Sequence, residues 1–311
     1  MGRRSRSGLA LLLGLAAALA VAAPAPAATP IRCNGEQYLC LRTFDRVVLP
    51  GAHNAMSAQS LGWSIPNQQV GVREQLAMGI KAFLLDTYYG HVAPDGSVVA
   101  DATPTPQSRL YLCHVLCRLG ATPLIDVLRT MRIYLENYPG NVLAIINEDS
   151  VRPEDFAREV RLSGLLRHVY RGPPGPWPTL RAMVRGQKQV VVMAERDSGS
   201  VPWYHEAYSG ILQETPYTWP TLDLLTKPAN WTASCRPNRG GTIGSLFLMN
   251  HWSPPVAPDP QVSAVVNATS VLTGRAQACR ALRGRLPSIV AVDMAASGGL
   301  IEAVRRLNAA G

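Results

Sequence analysis

Residues 122–149 read TPLIDVLRTMRIYLENYPGNVLAIINED, and this stretch decides the fold. Thr122-Pro123 supplies a helix start, a capping hydroxyl followed by proline at the first helical position. Leu124, Val127, Leu128, Met131 and Leu135 recur at helical spacing and so share one apolar face. Pro139-Gly140 stops the helix. Val142-Leu143-Ala144-Ile145-Ile146 follows as an unbroken apolar run, the pattern of a strand buried on both faces in a parallel sheet. The run ends abruptly in Asn147-Glu148-Asp149.

The same pattern recurs on either side. Val47-Val48-Leu49 leads into Pro50-Gly51-Ala52-His53-Asn54, Phe83-Leu84-Leu85 into Asp86, and Tyr111-Leu112-Cys113 into His114. The run from Val190 to Ala194 leads into Glu195, Leu246 to Met249 into Asn250-His251, and Ile289 to Val292 into Asp293. Further helices are expected over residues 71–78, 154–166, 179–185, 262–283 and 298–308. Residues 93–108 and 171–178 read as surface loops. Residues 197–244 read as an irregular aromatic and Pro-rich insertion, either a substrate wall or a loose excursion held by Cys235.

Alternating strands and helices leave two architectures, an open doubly wound sheet or a single-domain α/β distorted parallel (β/α)8 TIM-type barrel. No G-x-G-x-x-G or G-x-x-x-x-G-K follows the first strand, so the nucleotide-binding sheets lose support. In a barrel, all strand C-termini meet at one face. A ring of His, Asp, Glu and Asn is therefore expected around one cavity. Asp149 and Asn250 have a second reading as helix caps.

Hydrophobic residues at 47% against 16% charged exclude a disordered chain. Arg3, Arg4 and Arg6 precede an apolar run over 8–23 and an Ala25-Pro26-Ala27 site, the layout of a cleaved secretory signal over 1–27. The mature barrel would then span 28–311. The run falls short of the roughly 20 apolar residues that cross a bilayer. Losing three arginines lowers the +9 charge by three and leaves a basic, secreted protein. Such a protein is drawn to anionic surfaces, including lipid head groups. Scattered arginines without a basic run argue against nucleic acid, and a monomer is the expected state.

The 6 cysteines of an exported chain point to disulfides. Several pairings are possible; proximity favours Cys33–Cys40, Cys113–Cys117 and Cys235–Cys279. The rival, a metal site in CHVLC (Cys113 to Cys117), lacks a second Cys pair at zinc spacing. Asn230-Trp231-Thr232 and Asn267-Ala268-Thr269 match glycosylation sequons.

Two histidines with carboxylates suit general acid–base chemistry, because imidazole offers both protonation states near neutral pH. One neutral ring removes a proton from a hydroxyl, and a protonated one supplies a proton to a leaving alkoxide. Carboxylates orient the rings or hold a metal.

LPGAHNAMS (Leu49 to Ser57), GIKAFLLDTYYG (Gly79 to Gly90), the stretch from Leu112 to Asp149 and PSIVAVD (Pro287 to Asp293) together resemble the catalytic X-domain of phosphatidylinositol-specific phospholipase C. The likeness is greatest to small, secreted phospholipase C-like phosphodiesterases and runs from about Thr43 to Asn308. It implies a distorted parallel barrel and a two-step cleavage of a phospholipid or other phosphodiester through a cyclic phosphate. By motif position it makes His53 the base and His114 the acid. Asp293 is the expected partner of a catalytic His, while Glu195 and His251 are expected to line the substrate cavity. Calcium-dependent members of the family place ligands where Asn54, Asp86 and Glu148 stand, with Asn147 an alternative to Glu148. They carry a further Glu where Leu84 stands, and metal-independent members carry an Arg where Tyr88 stands, so the chain matches neither set fully. Calcium is the favoured cofactor. Two rival readings are a glycerophosphodiester-type phosphodiesterase, whose H-R-G and E-x-D motifs are missing here, and a non-catalytic barrel that binds phosphorylated lipids or sugars.

Overall fold

An apolar run with no water-facing side must find neighbours on both faces and both edges. In the computed structural model, which describes residues 1–2, 31–253 and 258–311, the runs pair as strands of one sheet. The strands are β1 (Leu49–Ala52), β2 (Ala82–Val92), β3 (Val98–Ala100), β4 (Arg109–Cys113), β5 (Ala121–Pro123) and β6 (Leu143–Asp149). They continue with β7 (Val190–Ala194), β8 (Tyr204–Glu206), β9 (Leu212–Glu214), β10 (Leu246–His251) and β11 (Ile289–Val292). Eight of them follow the order β8-β7-β6-β2-β1-β11-β10-β9, and every pairing along that path is parallel. The path curls into the expected distorted barrel, with helices packed outside. At its seam, between β8 and β9, the Leu212 amide donates to the Ala207 carbonyl at 2.7 Å.

Alternate strand residues make two apolar layers. Leu49, Leu84, Ile146, Val191, Met193, Leu248 and Ile289 belong to the inner one. Phe83, Leu85, Ile145, Val192, Phe247 and Val290 pack outward against the helices. Helix Leu124–Asn137 buries the five residues its periodicity singled out. Gly51 lets β1 lie close to β11, since a Cβ there would stand 3.1 Å from Ile289 Cγ2 and 3.2 Å from the Ala291 Cα.

Several expectations need correction. Thr122 and Pro123 belong to β5, pairing with β4, and the helix begins at Leu124 without a side-chain cap. The run ending at Cys113 is not a parallel barrel strand: β4 runs antiparallel to β2, with Leu112 opposite Thr87. The supposed irregular insertion over 197–244 contains β8 and β9, two members of the barrel. The loop over 93–108 contains β3, which pairs with β2. The helix expected over 262–283 breaks into Pro260–Val266 and Thr269–Arg283. The break falls at Asn267, whose side chain donates to the Asp293 carbonyl at 2.8 Å.

The three disulfides are those that proximity favours, so CHVLC is a cross-linked loop and not a metal site. The secretory signal and its cleavage site lie outside the described residues. Among the described residues no helix is long and apolar enough to cross a membrane. Asn267 is 1% exposed, which leaves Asn230 as the accessible sequon.

Candidate active site

The site forms where β1, β6, β7, β10 and β11 end, beside Asp86 in the middle of the longer β2. His53 follows β1, and the backbone turns at once at Asn54, φ +43°. Asn is among the few non-glycine residues that adopt this left-handed conformation readily. Asp293 follows β11, and the next residue, Met294, has φ +47°. His114 follows β4, and Val115 has φ +59°, a strained value for a β-branched side chain. Three tight reversals thus aim three side chains.

His53 Nδ1 lies 2.8 Å from Asp293 Oδ1, which also accepts from Asn67 Nδ2 at 3.1 Å. The Trp252 indole stacks on the His53 ring, centroids 3.7 Å apart and planes 3° from parallel. His114 Nδ1 lies 3.1 Å from Asp86 Oδ2. Burial disfavours a charged His114 ring, but the hydrogen bond and charge of Asp86, with the charges of Asp293 and Glu148, outweigh it and raise the pKa. The two imidazoles stand 6.5 Å apart, centroid to centroid, nearly edge to face. Asn54 sits between them. With its amide nitrogen toward Asp86, at 3.2 Å from each oxygen, its carbonyl oxygen is 3.2 Å from His53 Nε2 and 3.2 Å from His114 Nδ1.

Of these groups His53, Asn54, Asp86 and Trp252 border a cavity of about 240 Å³, floored by Leu84, Ile146 and Leu248, while His114 and Asp293 stand behind them, bonded to Asp86 and His53. Glu148 faces it beside Asp86, its register partner on β2. Asn147, the alternative at that position, points the other way and bonds Thr87 and Tyr204. Burial, then the Asp86 charge, pushes the Glu148 carboxyl up, opposed by Arg196 at 2.6 Å. Glu195 borders the cavity too, raised by burial and held by Arg239 at 2.6 Å. Arg239 also grips the buried Glu214 at 2.7 Å. Asp149 accepts from the amides of Arg196 and Asp197, so it caps the turn after β7.

His251 is the correction at this site. It is 0% exposed, with Nε2 on the Val266 carbonyl at 2.9 Å and Nδ1 3.0 Å from the buried Arg275. Leu248, Asn250 and Trp252 border the cavity, and alternation turns His251 away from it. Sequence reasoning missed Arg196, Arg239, Tyr217 and Trp252, all on the cavity wall.

The proposed ligands Asn54, Asp86 and Glu148 share this cavity, but the set does not fit calcium. Calcium takes about six to eight oxygens. Here two carboxylates are already engaged, Asp86 by His114 and Glu148 by Arg196. Among the described residues no three His, Cys, Asp or Glu are grouped to hold a metal.

The family model described as PI-PLC X 1 matches residues 39–308. An uncharacterized secreted protein of Arthroderma benhamiae is 28% identical over 61% of this chain and 40% of its own length. A PI-PLC X domain-containing protein of Arabidopsis thaliana is 25% identical over 78% of this chain and 55% of its own. The chain thus spans about half the length of these curated relatives. Among solved structures, a phosphatidylinositol-specific phospholipase C of Staphylococcus aureus shares the fold at TM-score 0.54 and 12% identity. That match covers 86% of this chain and 93% of the other.

Proposed function

We propose a function from one premise: this chain belongs to the PI-PLC X domain family. Our reading is that it cleaves a phosphodiester, an inositol phospholipid foremost, by proton transfer at two imidazoles. The observation that carries it is the pairing of His53 and His114, ring centroids 6.5 Å apart at the end of one barrel, each with a carboxylate at Nδ1.

Asp293 accepts the His53 Nδ1 proton, which leaves a lone pair on Nε2. That nitrogen takes the proton of the inositol 2-hydroxyl as its oxygen attacks phosphorus. The phosphorus–glycerol oxygen bond breaks, and the protonated His114 gives that oxygen its Nε2 proton, releasing diacylglycerol and a cyclic inositol phosphate. Asn54 Oδ1 accepts from the newly charged His53. Water then opens the ring with the two roles exchanged. Arg196, held by Glu148 at 2.6 Å on the cavity wall, faces the negative charge of the phosphate.

In this reading the chain works outside the cell, as the three disulfides and the secreted Arthroderma relative support. It acts as a monomer at an anionic lipid surface and does not bind nucleic acid. The test is ³¹P NMR of phosphatidylinositol vesicles incubated with the protein and excess EDTA. The expected record is a cyclic phosphate signal that precedes the acyclic one, with phosphatidylcholine left intact. Lack of the cyclic signal, or restoration of turnover only by added calcium, counts against the mechanism.

A further inference from the structure

At the other end of the barrel, where the strands begin, Lys81 immediately precedes β2 and is only 6% exposed. Its ammonium donates to Tyr134 Oη at 3.0 Å and to the Ile80 carbonyl at 3.4 Å. It also stands 5.2 Å from the centroid of the Tyr134 ring. Among the described residues no carboxylate lies within ion-pair distance of it, although a buried charge is costly unless paired. Burial lowers its pKa to about 8, which still leaves the cation dominant at neutral pH.

Lys81 borders a cavity of about 340 Å³ with aliphatic walls from Leu39, Leu76, Ile301 and Val304. That size falls in the usual range for small-molecule pockets. Asn34 borders it too, and its buried Nδ2 has no partner among the described residues. Asn308 on the same wall is fully used, with both amide atoms bonded to the Val48 backbone. Glu36 also borders the cavity, outside ion-pair reach of Lys81. A buried cation and an apolar wall therefore share one space, and among the described residues no carboxylate comes within ion-pair reach of that cation.

We propose that this cavity binds a small amphiphilic anion, a carboxylate on a short alkyl chain, with the carboxylate at Lys81 and the chain along the aliphatic wall. A bare inorganic anion would leave the apolar walls unmatched, and an alcohol would leave the ammonium unpaired. The site shares no residue with the cavity that His53 borders, so it stands or falls apart from the function proposed above.

The experiment is calorimetric titration of the intact protein with octanoate, 1-octanol and inorganic phosphate, below micelle-forming concentrations. Octanoate should bind saturably and at least ~10-fold more tightly than either control, the range expected for a charge-assisted hydrogen bond. Lys81→Met should weaken octanoate at least ~10-fold and leave octanol unchanged. Equal binding of octanoate and octanol by the wild type, or phosphate binding as tight as octanoate, overturns the proposal. So does octanoate binding that survives Lys81→Met. If that variant does not fold, the wild-type comparison decides alone.

Discussion

At His114, burial favours the neutral ring while Asp86 favours the charged one, and Asp86, aided by more distant carboxylates, prevails. An acid with a raised pKa keeps its proton to higher pH. Activity that needs this proton is full below that pKa and falls as pH rises through it. Asp86→Asn removes both the ion and its charge-assisted bond, so the alkaline limb of the kcat/KM profile should move to lower pH. An unmoved limb would take the acid role from His114. Asp293→Asn is expected to cost at least ~100-fold in turnover, because the amide no longer enforces the His53 tautomer with its lone pair on Nε2. His53, Asn54, Asp86, His114, Glu148 and Asp293 were legible because each breaks an apolar run. Arg196 and Arg239 were not, since one arginine among many carries no positional signal. His251 was misread for a simple reason. A polar residue at a strand end faces the cavity or the outer layer according to parity, and the sequence does not mark which.

The loop from Cys113 to Cys117 carries His114 and, beside it, two exposed apolar side chains. Val115 is 70% exposed and Leu116 58%. A strained backbone and a cross-link hold both at the site, with Leu61 and Ile65 of a neighbouring loop exposed as well. The loops touch where Ser64 donates to the Leu119 carbonyl at 2.8 Å. If the substrate lies in a lipid surface, these residues should enter it. Val115→Ser with Leu116→Ser is expected to weaken binding to phosphatidylinositol vesicles at least ~10-fold by sedimentation. Hydrolysis of a soluble inositol phosphodiester should stay within about two-fold of the wild type. Equal loss on both substrates would mean that the pair only positions His114. Elements of this kind show why part of the fold was hidden. An apolar run has no direction, so β4 reads the same parallel or antiparallel. The strands β8 and β9 are three residues each, too short for any period to appear.

For the whole molecule, a barrel with buried strands holds its own shape, and the cross-links differ in what they add. Cys235–Cys279 closes a separation of 44 residues, and Cys113–Cys117 one of 4. Loop-closure entropy sets the longer one at about 4 kcal/mol and the shorter at about 2 kcal/mol. Paired Cys→Ser variants should therefore lower Tm more at 235/279 than at 113/117 in calorimetry, and the reverse order would contradict this entropic account. Chain alternation, the buried parallel runs and the ring of polar strand ends made the barrel and one-sided site readable. The seam and the anion cavity at Lys81 depend on tertiary neighbours that no local pattern records.

The division of labour between the two rings is tested most directly by leaving-group dependence. Turnover of His53→Ala and His114→Ala would be measured on two inositol phosphodiesters, one with an alkyl and one with a p-nitrophenyl leaving group. The expected result is a loss of at least ~100-fold for His53→Ala on both, with an unchanged melting temperature. His114→Ala should lose as much on the alkyl ester and recover most of it on the p-nitrophenyl ester, which departs without a proton. Near wild-type turnover by either variant on the alkyl ester would contradict the paired-imidazole mechanism.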